Sequence, residues 1–399
     1  MSQPHNQVGD FQVFCGLDVG KGDHHACALT TTGKRLVDRA LPNDEAALRQ
    51  VFGELADHGR VLLVVDQPAA IGALAIALAR DMGITVAYLP GLAMRRLADL
   101  HPGEGKTDAR DAYVIADAAR TLPHTLRRVS TDDETLAGLE VLVGYDDDLA
   151  AEATRLSNRL RDALLHIHPA LERVLGPQLD RPGVLALLAQ APTPTALATL
   201  DPDSMTKILR EGGSPRLAKT LPATITAALA AQTVTIPGTT DFGRVIAGLA
   251  RQLRQVHTER RTLANDVEER LAKHPLAEVL TSMPGIGVRT AATLLVLIGD
   301  GSAFPTAAHL AAYAGLAPVT RRSGTSLKGE TRSHRGHRAL KSTLFLSAFA
   351  SLADPVSRAY YDRKRAEGKR HNAALICLAR RRIDVLHAML RTKTHYRHP

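Results

Sequence analysis

Two apolar runs that each end in aspartate constrain this chain more than any other feature. Residues 11–19 (FQVFCGLDV) read as a buried strand closing on Asp18, with Gly20 and Gly22 making the turn, and residues 61–65 (VLLVV) read as a second buried strand closing on Asp66. Residues 25–30 and 35–41 form two further expected strands across the Thr32-Gly33 turn, and residues 85–89 a fifth. Asn43 is the expected cap of a helix to about Leu55, a helix follows over 71–82, and the chain turns helical over 92–100 and again from Thr107. Three strands in a meander, followed by alternating helices and strands, predict a mixed sheet with helices on both faces.

That order is the order of elements in a ribonuclease H-like domain. In open sheets of this kind the working edge lies at the carboxyl ends of the strands, where Asp18 and Asp66 fall. A third and a fourth acid, Asp108 and Asp111, lie three apart at the start of the helix that follows Thr107. Helical spacing puts such a pair on one face, about 5–6 Å apart at Cβ. Two carboxylates that close repel, and a hard divalent cation joined by further carboxylates relieves the repulsion. The competing reading is that acids in a first turn offset the helix macrodipole, with Thr107 an ordinary N-cap. Asp23 and Asp117 read as solvent-facing or capping residues. His24 and His25 alternate along their strand, one inward and one outward.

Residues 132–176 are helical and charged, and Leu149, Ala153, Leu156, Leu160, Leu164, Ile167 and Leu171 recur at steps of 4, 3, 4, 4, 3 and 4, a coiled-coil-like seam. A second such helix over 242–273 carries Val245, Leu249, Leu253, Val256, Leu263, Val267 and Leu271 on one stripe, so the two helices need each other or another protomer as partners. Between them, residues 177–238 read as a small helical insert broken by prolines, with no chemistry assigned. The Pro284-Gly285-Ile286-Gly287 turn has the form of a helix-hairpin-helix, whose glycines let backbone N–H groups approach a phosphate, although a tight packed turn needs the same glycines. Residues 314–341 (AGLAPVTRRSGTSLKGETRSHRGHRALK) read as a basic, glycine-punctuated loop ahead of an amphipathic helix. Within it Ser323 stands among Arg321, Arg322, Lys328 and Arg332, where cations can orient a phosphodiester beside a hydroxyl.

Charge follows the same division. Residues 315–399 hold 19 Lys plus Arg against 5 Asp plus Glu, a net +14, so the preceding residues sum to -5 within the whole-chain +9. A basic region of that density points to a polyanion, and with aromatics at only 4% and no Trp the contact rests on phosphate neutralisation more than on base stacking. Three scattered cysteines, Cys15, Cys27 and Cys377, exclude a disulfide framework or zinc cluster and read as buried thiols. The sequence offers no apolar run long enough to span a bilayer and no signal-peptide pattern, so a cytoplasmic, nucleoid-associated protein is expected.

The blocks GLDVGK (16–21), KTDARDA (106–112), MPGIG (283–287) and AGLAPVTRRSG (314–324), taken in order, resemble the DEDD transposases of the insertion-sequence IS110 type, also called bridge recombinases and related to the Piv DNA invertase. The resemblance covers roughly residues 11–175 and 240–395. It implies a RuvC-like (ribonuclease H-like) domain over 1–128 whose acids Asp18, Asp66, Asp108 and Asp111 hold Mg²⁺, or Mn²⁺ in its place. It further implies coiled-coil helices over 129–275 with the insert at 177–238, and a mainly helical transposase domain over 276–399 with Ser323 as nucleophile. Gly285, Gly287, Arg321, Arg322, Lys328 and Arg332 are then the expected nucleic-acid contacts. Also implied are a homo-oligomer, dimer or tetramer, with composite sites, donor and target DNA as substrates, a non-coding bridge RNA, and a phosphoserine intermediate. The family's second acid is usually Glu; Asp66 reaches one methylene less far. Two other readings compete: a junction-resolving nuclease of the same fold in which water attacks, and a non-catalytic nucleic-acid-binding protein. A sugar-kinase or actin-like ATPase would need a second phosphate loop and an adenosine motif, and the sequence has neither.

Overall fold

The computed structural model describes residues 10–66, 72–101, 107–128, 134–323, 327–331 and 335–398, with side chains left out at 92, 127, 128, 134, 319–323 and 327–331. The chain divides into two compact units, residues 1–132 and 133–399.

In the first unit, β1 (Val13–Asp18), β2 (Asp23–Thr30) and β3 (Arg35–Pro42) form an antiparallel meander, followed by α1 (Glu45–Ala56), β4 (Val61–Val65), α2 (Ala73–Asp81), β5 (Thr85–Tyr88), α3 (Gly91–Ala98), α4 (Asp108–Thr121) and the two-residue β6 (Arg127–Arg128). The strands lie in the order β3-β2-β1-β4-β5-β6, with β1, β4 and β5 parallel and β6 antiparallel to β5. This is the mixed sheet expected, and it agrees with a ribonuclease H-like fold. The cap of α1 is Asp44, which accepts from the Ala47 N–H, and not Asn43, whose own N–H donates to the Gly22 carbonyl. A charged cap one residue later suits the helix dipole, and Asn43, between β3 and α1, is tied by its N–H to the β1–β2 turn at Gly22.

Side-chain alternation splits the sheet cleanly. Val13, Cys15, Leu17, Leu63 and Val65 pack with α1 and α2, whereas Phe14, Leu62 and Val64 pack with Val114, Ile115 and Ala118 of α4. At Gly16 the approach is closer than any side chain allows: an added Cβ would lie 2.2 Å from the Ala112 carbonyl oxygen and 2.5 Å from the Ala116 nitrogen. Because Phe14 meets the later residues of α4 and Gly16 its beginning, the helix runs antiparallel to β1 and its first turn sits at the carboxyl end of that strand. Gly16→Ala should therefore push α4 off the sheet, at a cost of about 1–3 kcal/mol in unfolding free energy. A urea midpoint unchanged from the parent would mean that the helix can step aside freely.

The second unit opens with α5 (Glu134–Ile167), α6 (Pro169–Leu175), α7 (Pro182–Gln190), α8 (Pro194–Ala198), α9 (Pro202–Glu211), α10 (Leu221–Ala230) and α11 (Thr239–Ala272). It continues with α12 (Ala277–Thr281), α13 (Val288–Ile298), α14 (Ala307–Tyr313), β7 (Val319–Ser323), β8 (Leu327–Thr331), α15 (Arg338–Ala350), α16 (Pro355–Ala366) and α17 (His371–Thr392). The long helices α5 and α11, 34 residues each, pack on one another within the chain. They run antiparallel: Asp146 takes both Arg260 donors at 2.9 and 3.2 Å, and His166 stacks on Phe242 at the opposite end. The α5 seam is buried as its spacing predicts. On α11 the stripe is shifted, with Ile246 buried and Val245 46% exposed. The insert is helical, α7 to α10, and its apolar residues join the core of the long pair.

One expectation is overturned here. Residues 314–341, read as a loop, contain a β-hairpin in which Val319 pairs with Thr331 and Ser323 with Leu327. Cross-strand hydrogen bonding, which charge and glycine content do not report, organises the segment.

Candidate active site

Asp18 closes β1 on the α4 face, two residues beyond Gly16, and is half-buried. Leu17 pairs with Val65 in parallel register, so Asp66, the next residue after β4, stands beside Asp18 on the neighbouring strand, about 4.8 Å away across the sheet. Carrying the alternation of Leu62 and Val64 one step on puts Asp66 on the same face. Thr107 caps α4 by accepting from the Arg110 N–H at 3.3 Å, and Asp108 and Asp111 occupy its first turn, the first exposed and the second half-buried. Asp111 immediately precedes Ala112, the residue that abuts Gly16. The Arg110 guanidinium donates to the carbonyls of Ala98 and His101 at 3.0 and 2.9 Å, tying the start of α4 to the end of α3.

The four expected acids thus gather on one face and at one end of the sheet. They do not close on a point: among the described residues no three His, Cys, Asp or Glu side chains are near enough to share a metal ion. As a donor set, four carboxylates suit a hard, oxygen-seeking cation. The first turn of α4 is held by packing at Gly16 and by the Arg110 tie.

The decoys separate as their surroundings dictate. Asp23 is exposed, as expected. Asp117 is neither solvent-facing nor a cap: it is half-buried, 2.6 Å from Arg120 and 3.5 Å from His101. His24 is 1% exposed, and burial lowers its pKa, an effect only partly offset by Asn43, Gly20 and Asp23 nearby, so it is a neutral core ring. His25, the outward one of the pair, is the register partner of Asp18 and reaches Asp38 at 2.9 Å, while Arg35 binds Asp38 at 2.7 Å and lies over the Tyr113 ring of α4. The signal was present in the alternation, but cross-strand register is needed to read it. Burial pushes the Cys15 thiol up to about 12 and the Cys27 thiol to about 11, which leaves neither as a thiolate near neutral pH.

In the second unit, Arg321, Arg322 and Ser323 lie on β7 and Lys328 on β8, with Arg322 paired to Lys328 in register; their side chains, and all of Arg332, fall outside the described residues. Gly285 has φ +78° and faces inward, where a Cβ would lie 2.4 Å from the Ser347 carbonyl oxygen. Its need for glycine is a packing need. The buried Arg382 fixes the same turn, donating to the Pro284 carbonyl at 2.6 Å and the Ser347 hydroxyl at 2.9 Å, with burial pulling its pKa down to about 10. Gly287, at the start of α13, has open space where a Cβ would be.

Known proteins resemble this chain in sequence. Residues 15–169 match a family model described as "Transposase", and residues 277–362 match one described as "Transposase IS116/IS110/IS902 family". The protein is a DNA transposase or recombinase. The IS110 43.6 kDa protein of Streptomyces coelicolor is 57% identical over 389 residues, 97% of this chain and 96% of that one. The IS900 42 kDa protein of Mycobacterium paratuberculosis is 40% identical over 97% of each chain. A pilin gene-inverting protein of Moraxella lacunata is 38% identical over 118 residues, 29% of this chain and 37% of its own. The chain belongs to the IS116/IS110/IS902 family of insertion-sequence transposases. Its substrate is accordingly DNA, and among the described residues no helix is long and apolar enough to cross a membrane.

Proposed function

We propose that this transposase exchanges DNA strands through a serine–phosphate ester, using Asp18, Asp66, Asp108 and Asp111 to hold Mg²⁺ and a non-coding RNA to select donor and target. The observation that carries the reading is the placement of Asp18 and Asp66 at adjacent strand ends, facing the helix that opens with Asp108 and Asp111. When bound there, the ion polarises the scissile phosphate and steadies the charge on its oxygens. The Ser323 hydroxyl oxygen forms a bond to phosphorus as the bond from phosphorus to the leaving sugar oxygen breaks. The serine proton ends on that sugar, and the hydroxyl of an incoming strand later reverses the step. The ester conserves the bond energy, so rejoining needs no ATP. Arg321, Arg322, Lys328 and Arg332 neutralise the phosphates on either side of the scissile one.

On this reading residues 1–128 are the carboxylate domain, residues 129–275 the helical middle with its insert, and residues 276–399 the serine domain. The serine of one protomer works with the acids of another in a dimer or tetramer. The function is tested by incubating purified protein with donor and target duplexes and the transcribed non-coding segment flanking its gene. Recombinant product should form only when Mg²⁺ and that RNA are both present. Product formed equally without RNA would remove the guide from the account.

A further inference from the structure

The helical insert forms a groove with one face of α11, and that face is cationic. Thr240, Arg244, Ala247, Arg251, Arg254, Thr258 and Arg261 recur at steps of 4, 3, 4, 3, 4 and 3, a single stripe along the helix. The stripe lines two cavities in tandem. The first, about 670 Å³, lies between α11 and Thr193, Thr195 and Thr199 around α8, with Arg244 and Arg251 on its α11 side. The second, about 510 Å³, lies between α11 and the ends of α7 and α9, with Arg254, His257 and Arg261 on its α11 side.

These arginines are not engaged in holding the fold. Arg251, Arg254 and Arg261 are exposed, and among the described residues none has a carboxylate within ion-pairing distance. Arg244 has only Asp241, at 3.8 Å with both side chains over 80% exposed, a pairing worth little in water. At the floor of the second cavity, the His257 Nε2 is sealed from solvent and has no hydrogen-bond partner. Glu211 is the one acid lining either cavity, and Asp180 acts on His257 from nearby.

We infer that this groove binds the phosphodiester backbone of a nucleic-acid strand, apart from the carboxylate site and the basic hairpin. From Arg244 to Arg261 the stripe runs about 26 Å along the helix axis, the length of several successive phosphates. Threonine hydroxyls complement phosphate and sugar oxygens. Neither cavity is lined by Phe or Tyr, so the bases are not stacked and the contact is independent of sequence. The occupant is a strand of the transposing DNA or of an RNA, two sources of one chemistry.

The test uses the full chain and three labelled probes of equal length: duplex DNA, single-stranded DNA and single-stranded RNA. Affinity is read between about 50 and about 200 mM salt. For its cognate probe the triple variant R251Q/R254Q/R261Q should lose at least about tenfold in affinity. The slope of log K against log salt should shrink by about 2 for a single strand or nearly 3 for a duplex. The probe that loses slope identifies the source. If the triple variant unfolds, Arg254→Gln alone should lower the slope by a little under about 1. Slopes equal to the parent's on all three probes overturn the groove. The readout needs no cleavage, so it stands or falls separately from the metal and serine chemistry.

Discussion

Asp111→Asn is expected to lower Mg²⁺-dependent DNA cleavage by at least about a thousandfold, equivalent to about 4 kcal/mol of transition-state stabilisation. The swap keeps shape and removes one charge. Its structural cost is small, because Asp111 is half-buried in the first turn of α4 and makes its backbone bond, at 3.0 Å to the Thr107 carbonyl, whatever its side chain. Losing an acid from a helix's first turn costs only about 0.3–1 kcal/mol through the macrodipole. Unfolding should therefore change little while cleavage collapses. This separation divides the catalytic role from the capping role that the same position would have in an ordinary helix. Cleavage within a few-fold of the parent would return Asp111 to the second role.

Ser323→Ala should abolish the covalent protein–DNA species and reduce strand exchange by on the order of 10⁴ or more, since the proposed ester forms through its hydroxyl. Adducts persisting in the variant would reassign the nucleophile. Free ends without any adduct in the parent would favour attack by water, the reading of the chain as a junction-resolving nuclease. Ser323 ends β7, four residues before its register partner Leu327 opens β8, so its backbone belongs to a strand and not to a wandering loop. A strand-borne nucleophile has less conformational freedom to lose on reaching the phosphate.

Much of the first unit was legible in sequence because its strands are short apolar runs with abrupt polar ends. VFCGLD and VLLVV announce both their burial and the acids that close them. The cap at Thr107 and the periodicity after it likewise gave α4 and the pairing of Asp108 with Asp111. What was not legible depends on partners distant along the chain. His25 gains its place from register with Asp18, and Asp117 leaves solvent because His101 and Arg120 come to it. The hairpin at residues 319–331 was masked by arginines and glycines that blur a period of two. At Gly285, where the sequence left phosphate contact and tight packing both open, the turn comes close to Ser347 and Ser351, contacts that only the folded chain reveals. The arginines of α11 become cavity lining only because α7 to α9 fold over them, walls supplied from about 40–70 residues earlier in the chain.

The proposed chemistry requires carboxylates from two strand ends and one helix start to draw together around a cation. Titrating Mn²⁺, as a paramagnetic stand-in for Mg²⁺, into the full-length protein and following the free-ion resonance measures this directly. The account predicts that the parent takes up ion and that Asp18→Asn and Asp111→Asn each weaken uptake, although the two acids are far apart in sequence. Equal uptake by the parent and both variants, or none by the parent, would contradict it.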